Sequence, residues 1–305
     1  MTRHLRLGTR GSPLALWQAS MVADAIRLAH GLGPEAIEIV PIRTTGDKVQ
    51  DRALAEVGGK AVWTKELDRA LLDGEIDLAV HSMKDVETIR PAAIVIAAIP
   101  PRADVRDRLI GAESLAALPA NPRVGTSSPR RAAQVRRARP DAAILLFRGN
   151  VDTRLRKLAE GEADATLLAA AGLDRLGREG VGSAIAVEAM LPAPAQGAVG
   201  VEARADDAEL LALLAAIDHP VTSACVRAER AFLAALGADC RSPVAALAEM
   251  ATRDAIHLRA EILSEDGALC EAGAVTFALD DGEGPARLAR ILLERAPPGL
   301  RALFG

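Results

Sequence analysis

The chain has 305 residues and a net charge of −4; half of it is hydrophobic and only 2% aromatic, with no tyrosine. That length gives proper cores to two or three domains. The few aromatics argue against a stacking platform for single-stranded nucleic acid, and the charge against a global basic field for DNA or an anionic membrane.

Three cysteines without a Cys-x-x-Cys pair make neither a disulfide framework nor a zinc site. No signal segment and no bilayer-length apolar run is evident. The chain therefore reads as a cytoplasmic protein with reduced thiols, no metal and no membrane partner.

Leu5 to Thr9 reads as a first strand, followed by Arg10, Gly11-Ser12-Pro13 and an apolar-periodic segment from Leu14 to about Leu28. Ser12 suits an N-cap and Pro13 the first helical turn. The free N–H groups of such a terminus can hold an anion. A second strand, Ile37 to Ile42, leads into Arg43-Thr44-Thr45-Gly46-Asp47. Val57-Gly58-Gly59-Lys60 precedes a helix from about Trp63 to Leu72, which Asp73-Gly74-Glu75 ends. Ile76 to Val80 is a short buried strand that runs into His81, Ser82, Lys84 and Asp85. In an open α/β sheet, ligands bind outside the carboxyl ends of the strands, so this is a candidate catalytic edge.

The same grammar recurs further on. Val124-Gly125-Thr126 ends a strand, and Ser127-Ser128-Pro129-Arg130-Arg131 starts a helix. Ile144 to Phe147 ends in Arg148-Gly149-Asn150, Asp152 can cap the next helix, and Ala165 to Ala169 is a strand. Each half reads β-α-β-α-β, which predicts two similarly wound α/β domains whose strand ends face one cleft. The expected boundaries are residues 1–99 with 198–217 for the first domain and 100–197 for the second. The crossings lie near Pro100-Pro101 and Pro192 to Gly197, and Val199 to Glu202 rejoins the first sheet. Residues 218–305 form a small α+β domain. It has a helix from Thr222 to Leu236, a hairpin of Ile256 to Leu263 and Leu269 to Phe277 around Asp266-Gly267, and a closing helix from Ala286 to Arg295.

Six arginines fall at strand ends or early in the following helices: Arg10, Arg130, Arg131, Arg148, Arg154 and Arg175. Their forks match carboxylate or phosphate, and the set favours a polyanionic ligand. No Gly-x-Gly-x-x-Gly and no Walker loop is present, which weighs against nucleotides. Asp85 can be a general acid, a base or a counter-charge, or can simply pair with Lys84. His81 suits a structural histidine as well as a proton carrier. Cys225 shares a helical face with Ala228 and Phe232, and Cys270 alternates within the hairpin, so both read as packing. Cys240 lies in the turn-like Gly237-Ala238-Asp239-Cys240-Arg241-Ser242-Pro243, where the neighbouring Arg can lower a thiol pKa.

These residues together resemble the porphobilinogen deaminases, also called hydroxymethylbilane synthases. The motifs are Thr9-Arg10-Gly11-Ser12-Pro13-Leu14-Ala15-Leu16-Trp17-Gln18, Thr45-Gly46-Asp47, Val57-Gly58-Gly59-Lys60 and Ala79-Val80-His81-Ser82-Met83-Lys84-Asp85. Gly125-Thr126-Ser127-Ser128, Arg130-Arg131, Arg148-Gly149-Asn150-Val151, Gln196-Gly197-Ala198-Val199-Gly200 and Ala228-Glu229-Arg230 follow in the family's order.

The resemblance implies a monomeric three-domain enzyme whose first two domains are similar to periplasmic binding proteins. It implies a transferase of tetrapyrrole and heme biosynthesis that joins four porphobilinogen molecules into hydroxymethylbilane and releases ammonia. It further implies a dipyrromethane cofactor on Cys240, held by Ser82, Lys84, Thr126, Ser128, Arg130, Arg131, Arg148 and Gly149. Arg10, Ser12, Lys60, Arg148, Arg154 and Arg175 would bind substrate, and Asp85 would be catalytic, facing the positive charge that forms as the amine leaves. Three positions depart from the family's usual pattern: Asp239 for Gly, Glu87 for Pro and Val105 for Pro. Asp239 beside the thiol disfavours the thiolate. The alternative from another class is a non-catalytic, two-lobed anion-binding protein.

Overall fold

The computed structural model describes residues 4–44 and 64–304. Within them, the first sheet holds β1 (Leu5–Arg10), β2 (Ile37–Ile42), β3 (Leu78–Ser82), β4 (Ile94–Ala98) and β10 (Val199–Arg204), in the order β2-β1-β3-β10-β4. The second holds β5 (Asp107–Ile110), β6 (Arg123–Thr126), β7 (Ala143–Leu146), β8 (Ala165–Ala169) and β9 (Ser183–Ala184), in the order β7-β6-β8-β5-β9. β1 runs parallel to β2 and β3, and β6 runs parallel to β7 and β8. The fourth strand is antiparallel in each: β10 between β3 and β4, and β5 between β8 and β9. The two sheets thus share one topology, as the repeated strand grammar predicts. Each takes its fourth strand from the segment that has just left the other.

The local reasons are legible. Leu78, Ala79 and Val80 are all buried, the continuous apolar run of a strand covered on both faces. Helix α1 (Pro13–His30) buries Ala19, Val22, Ala23 and Ile26, an i, i+3, i+4, i+7 stripe, against Leu5, Leu7, Leu78 and Val201. Each fully buried Leu or Ile contributes roughly 1.5–3 kcal/mol. Ser12 and Ser128 do the same work in the two halves. Ser12 Oγ accepts from the Ala15 N–H at 3.3 Å, and Ser128 Oγ accepts from the Arg131 N–H at 3.4 Å, at the start of α3 (Pro129–Ala138). Helix α2 (Lys65–Leu72) precedes β3 and buries Leu67, Ala70 and Leu71.

One cap differs from expectation. Helix α4 (Val151–Ala159) is capped by Asn150, not Asp152: Asn150 Oδ1 accepts from the Thr153 N–H at 2.9 Å. Gly149, at φ 106°, makes the turn that places it, and a Cβ there would lie 2.6 Å from the Thr153 side chain. Asp152 falls inside the first turn and pairs with Arg178. The short α5 (Ala170–Asp174) and α6 (Ala208–Leu214) follow β8 and β10.

The C-terminal body is an antiparallel sheet of β11 (Val244–Thr252), β12 (Ala255–Leu263) and β13 (Cys270–Ala278), with α7 (Pro220–Ala235) and α8 (Gly284–Arg295) packed on it. Phe232, Leu258, Ile262, Leu288 and Leu292 form its core, and Cys225 sits among them as expected. The β12–β13 hairpin turns through Asp266 and Gly267, the latter at φ 72°. Among the described residues, no single helix is long and apolar enough to cross a membrane.

Candidate active site

The carboxyl ends of the parallel strands in both sheets open onto one cavity of about 730 Å³. From the first sheet come Arg10 and Ser12 after β1, Arg43 after β2, and Ser82, Lys84 and Asp85 after β3. From the second come Ser128, Arg130 and Arg131 on α3, and Arg148, Gly149 and Arg154 around the start of α4. Arg175 and the return crossing at Gln196 and Gly197 form the back, and Cys240 reaches in from the C-terminal body. Gly197, at φ 85°, lets that crossing run against Ala103, whose carbonyl oxygen would lie 2.7 Å from an added Cβ.

Lys60, Trp63, the Thr45-Gly46-Asp47 loop and the Val57-Gly58-Gly59 loop lie outside the described residues. Thr126 does not line the cavity; it is buried behind Ser128, whose N–H donates to its Oγ at 3.1 Å. The Ser82 hydroxyl is engaged by the Gln18 carboxamide at 2.9 Å. His81 is buried, with Nε2 3.2 Å from Glu202 Oε2, so its place is structural.

Eight cationic side chains line this cavity against three carboxylates, Asp85, Asp152 and Asp239, among the described residues. That surplus shows in their titration. Burial pushes the Lys84 amine down to about 8, helped by Arg131 and opposed by Asp85. Burial also pulls Arg154 down to about 10, and Arg131 adds to the effect while Asp85 opposes it. Arg154 hydrogen bonds to neutral groups, the Gly149 carbonyl at 3.0 Å and Ser127 Oγ at 3.1 Å. Arg175, lowered by burial, donates to the Gly197 carbonyl at 2.7 Å, and its guanidinium lies 5.9 Å from the Trp17 ring centre. Carboxylates of a ligand would relieve these cations.

Arg130 and Arg131 are held differently. Both converge on buried Asp107, at 2.8 and 2.7 Å. Burial alone would raise that carboxyl; the two guanidiniums hold it well below the usual range. Gln196 Nε2 donates to the same carboxylate at 2.9 Å, which ties the pair to the return crossing. One carboxylate thus orients two arginines and leaves net positive charge. Asp107 was not singled out from the sequence, and Gln196 and Arg43 were named only within a motif and a loop, with no role of their own. Arg43 follows a strand directly, and the strand-end rule could have found it. Asp107 and Gln196 act across long loops that carry no local signal.

Of the two opposing neighbours of Cys240, Asp239 prevails over Arg241. The thiol is pushed up to about 12: burial is the largest cause, and Asp85 and Asp239 add to it. Arg241 opposes only weakly, because its fork is spent on Asp239, with Nη2–Oδ2 at 2.7 Å and Nε–Oδ2 at 3.1 Å. Cys225 and Cys270 are both pushed up to about 11 by burial, and neither lines the cavity.

Two family models match: "Porphobilinogen deaminase, dipyromethane cofactor binding domain" over residues 5–212, and "Porphobilinogen deaminase, C-terminal domain" over residues 223–293. The chain belongs to the porphobilinogen deaminase family. It is 60% identical to the porphobilinogen deaminase of Sphingopyxis alaskensis, over 98% of this chain and 96% of that one. It is 50% identical to that of Paracoccus denitrificans, over 96% and 95%. Among solved structures, a periplasmic arginine-binding protein of Salmonella typhimurium aligns over 73% of this chain and 94% of its own, at 12% identity and TM-score 0.41.

The cation surplus suits a ligand that carries carboxylates. The arginines then separate by experiment. Arg154→Ala should weaken ligand binding by about 1.5–3 kcal/mol, the worth of one charge-assisted hydrogen bond, with little loss of thermal stability. Arg131→Ala should do both, because it strips a partner from buried Asp107. Equal melting temperatures for the two variants would contradict this division.

Proposed function

We propose that this cleft joins four porphobilinogen molecules head to tail into hydroxymethylbilane, on a dipyrromethane primer carried by Cys240. In each step the substrate's C–N bond breaks and ammonia leaves. A C–C bond forms and the attacking pyrrole carbon gives up its proton; after the fourth addition water cleaves the new chain from the primer and supplies the product's hydroxyl. A bound dipyrromethane supplies the nucleophilic pyrrole carbon. This chain's own residues do the rest. The observation that carries the reading is a cavity in which eight cations outnumber three carboxylates, Asp85 among them, and which also holds a thiol.

The donor set fits the group. Lys84, Arg130, Arg131 and Arg148 face its carboxylates, Ser82 and Ser128 add hydroxyls, Thr126 orients Ser128, and Gly149 brings backbone close. Arg10, Ser12, Arg154 and Arg175 hold the incoming substrate, together with Lys60 by its place in the family motif. Asp85 stabilises the positive charge that develops on the substrate as ammonia departs, the kind of preorganised electrostatic work that dominates many sites. We assign residues 1–99 with 198–217 and 100–197 to two lobes that close on the ligand, and 218–305 to a body that carries Cys240. The need for a reduced thiol supports a cytoplasmic setting.

Intact mass is the test. Purified protein should exceed its sequence mass by two linked pyrroles and should release ammonia from porphobilinogen. A non-catalytic anion binder would show the sequence mass and release none.

The empty site should also be pH-dependent. With its folded-state pKa near 8, below the 10.5 of a free lysine, Lys84 carries its charge below pH 8 and loses it above. Primer binding to cofactor-free protein should therefore weaken as pH rises through 8, by up to about tenfold per unit. Lys84→Met should flatten that limb. A slope unchanged in the variant would assign the titration elsewhere.

A further inference from the structure

The turn that carries Lys84 and Asp85 is tied at both ends to one buried arginine. At its entry, His81 Nε2 lies 3.2 Å from Glu202 Oε2 on the neighbouring strand β10. Both oxygens of Glu202 accept from Arg90, Nε at 2.8 Å and Nη2 at 2.9 Å. At its exit, Glu87 Oε2 accepts from Arg90 Nη1 at 2.7 Å and from the Thr64 hydroxyl at 2.6 Å. Asp68 on α2 accepts from Arg90 Nη2 as well. His81, Glu202, Arg90 and Glu87 thus close a ring around residues 81–87.

The ring is charged and largely buried, with Glu87 the most exposed member at 20%. The Arg90 side chain is 8% exposed and that of Glu202 0%. Burial would raise Glu202, yet His81 and Arg90 bring it down to about 2. Apolar residues would fill such a site with equal or better stability, and a buried ion pair is weak evidence for stability. None of these four side chains lines the large cavity. What the ring does fix is geometry. A second grip points the same way: Arg230 donates to the carbonyls of Val86, Glu87 and Thr88, and the Thr88 hydroxyl donates to the Ala238 carbonyl at 2.7 Å, two residues before Cys240.

We propose that Arg90 is a positioning residue: with Glu87 and Glu202 it braces both ends of the turn and so sets the Asp85 carboxylate against the reacting ring. This rests on the role given to Asp85 above.

The test uses cofactor-loaded Glu87→Gln, Arg90→Lys and Arg90→Gln proteins. Arg90→Gln strips the guanidinium from buried Glu202 and endangers the fold. Glu87→Gln keeps the shape and removes one charge from an acid-rich cluster, so it decides the matter if Arg90→Gln does not fold. In Glu87→Gln we expect the covalent mass retained, KM within about twofold, and kcat down about tenfold or more, since small misplacements are costly. Amide hydrogen exchange across 82–88 should quicken. Arg90→Lys should recover part of the kcat lost in Arg90→Gln. Wild-type kcat in Glu87→Gln, or a raised KM with kcat unchanged, would overturn the proposal, whatever the exchange shows. Unchanged exchange across 82–88 would overturn it too. A wild type without covalent mass or turnover would sink the functional reading instead, and the exchange measurement would still decide the brace.

Discussion

Cys240→Ser protein should carry no covalent pyrrole mass and show no turnover, while folding as the parent does. The thiol opens onto the cavity and makes no packing contact in the C-terminal core, unlike Cys225. The reaction needs a soft nucleophile to form a thioether, and the serine hydroxyl is a far poorer one. Peptide mapping of loaded parent protein should put the added mass on the peptide that contains Cys240. Mass on the Cys225 or Cys270 peptide, or retained in the serine variant, would refute the assignment. The raised thiol adds a second expectation. The thiolate is the attacking form, and Asp85, Asp239 and burial all disfavour it. Asp239→Asn removes one of those charges and releases Arg241 to face the sulfur. Both changes lower the thiol pKa, so this variant should load its cofactor faster than the parent. Slower loading would mean that the Asp239–Arg241 clasp is needed for the loop's shape.

Asp85→Asn should keep its covalent cofactor and lose about 10²–10³ of its rate, the usual worth of one preorganised electrostatic group. Asn keeps the volume and one acceptor but no charge. Asp85 also opposes the pKa depression of Lys84 and Arg154, so its loss leaves the surrounding cations less well balanced. At a pH low enough to keep Lys84 protonated, the variant should therefore bind the substrate's carboxylates at least as well as the parent while turning it over slowly. Rate within a few-fold of the parent would place the stabilisation of the cation on another group.

What the sequence made legible follows from how local each signal is. The paired Ser-Pro caps at Ser12 and Ser128 and the return strand at Val199 rest on neighbouring residues and stand as expected, while the strand expected over Ile76 to Val80 lies two residues later, at Leu78–Ser82. Strand β11 escaped notice because Val244 to Ala248 is mostly alanine, which neither alternates nor favours strand. The cap at Asn150 was misplaced onto Asp152 because the backbone turn at Gly149 shifts the helix start by two residues. The arginines were found as a set, but Asp107, 23 and 24 residues before its two partners, was not, since nothing in the sequence spacing pairs them. The sequence left the shift of Cys240 open between Asp239 and Arg241 for a related reason. Arg241 adjoins the thiol in sequence, but in space its charge is turned onto Asp239.

The exchange of fourth strands sets the order in which this chain can fold. Among the described residues, β4 pairs only with β10 in the first sheet, and β10 begins at Val199. Until that residue emerges from the ribosome, the edge of β3 and both edges of β4 stay open. Synthesis of the hundred or so residues between them lasts roughly 5–20 seconds at ordinary elongation rates. The first lobe therefore waits for the second, although it is made first. During that wait the apolar Leu78–Val80 and Ile94–Ala98 strands present unpaired backbone, the kind of edge on which nascent chains aggregate. Substitutions in β10 should therefore lower yield more than they lower the melting temperature of what folds.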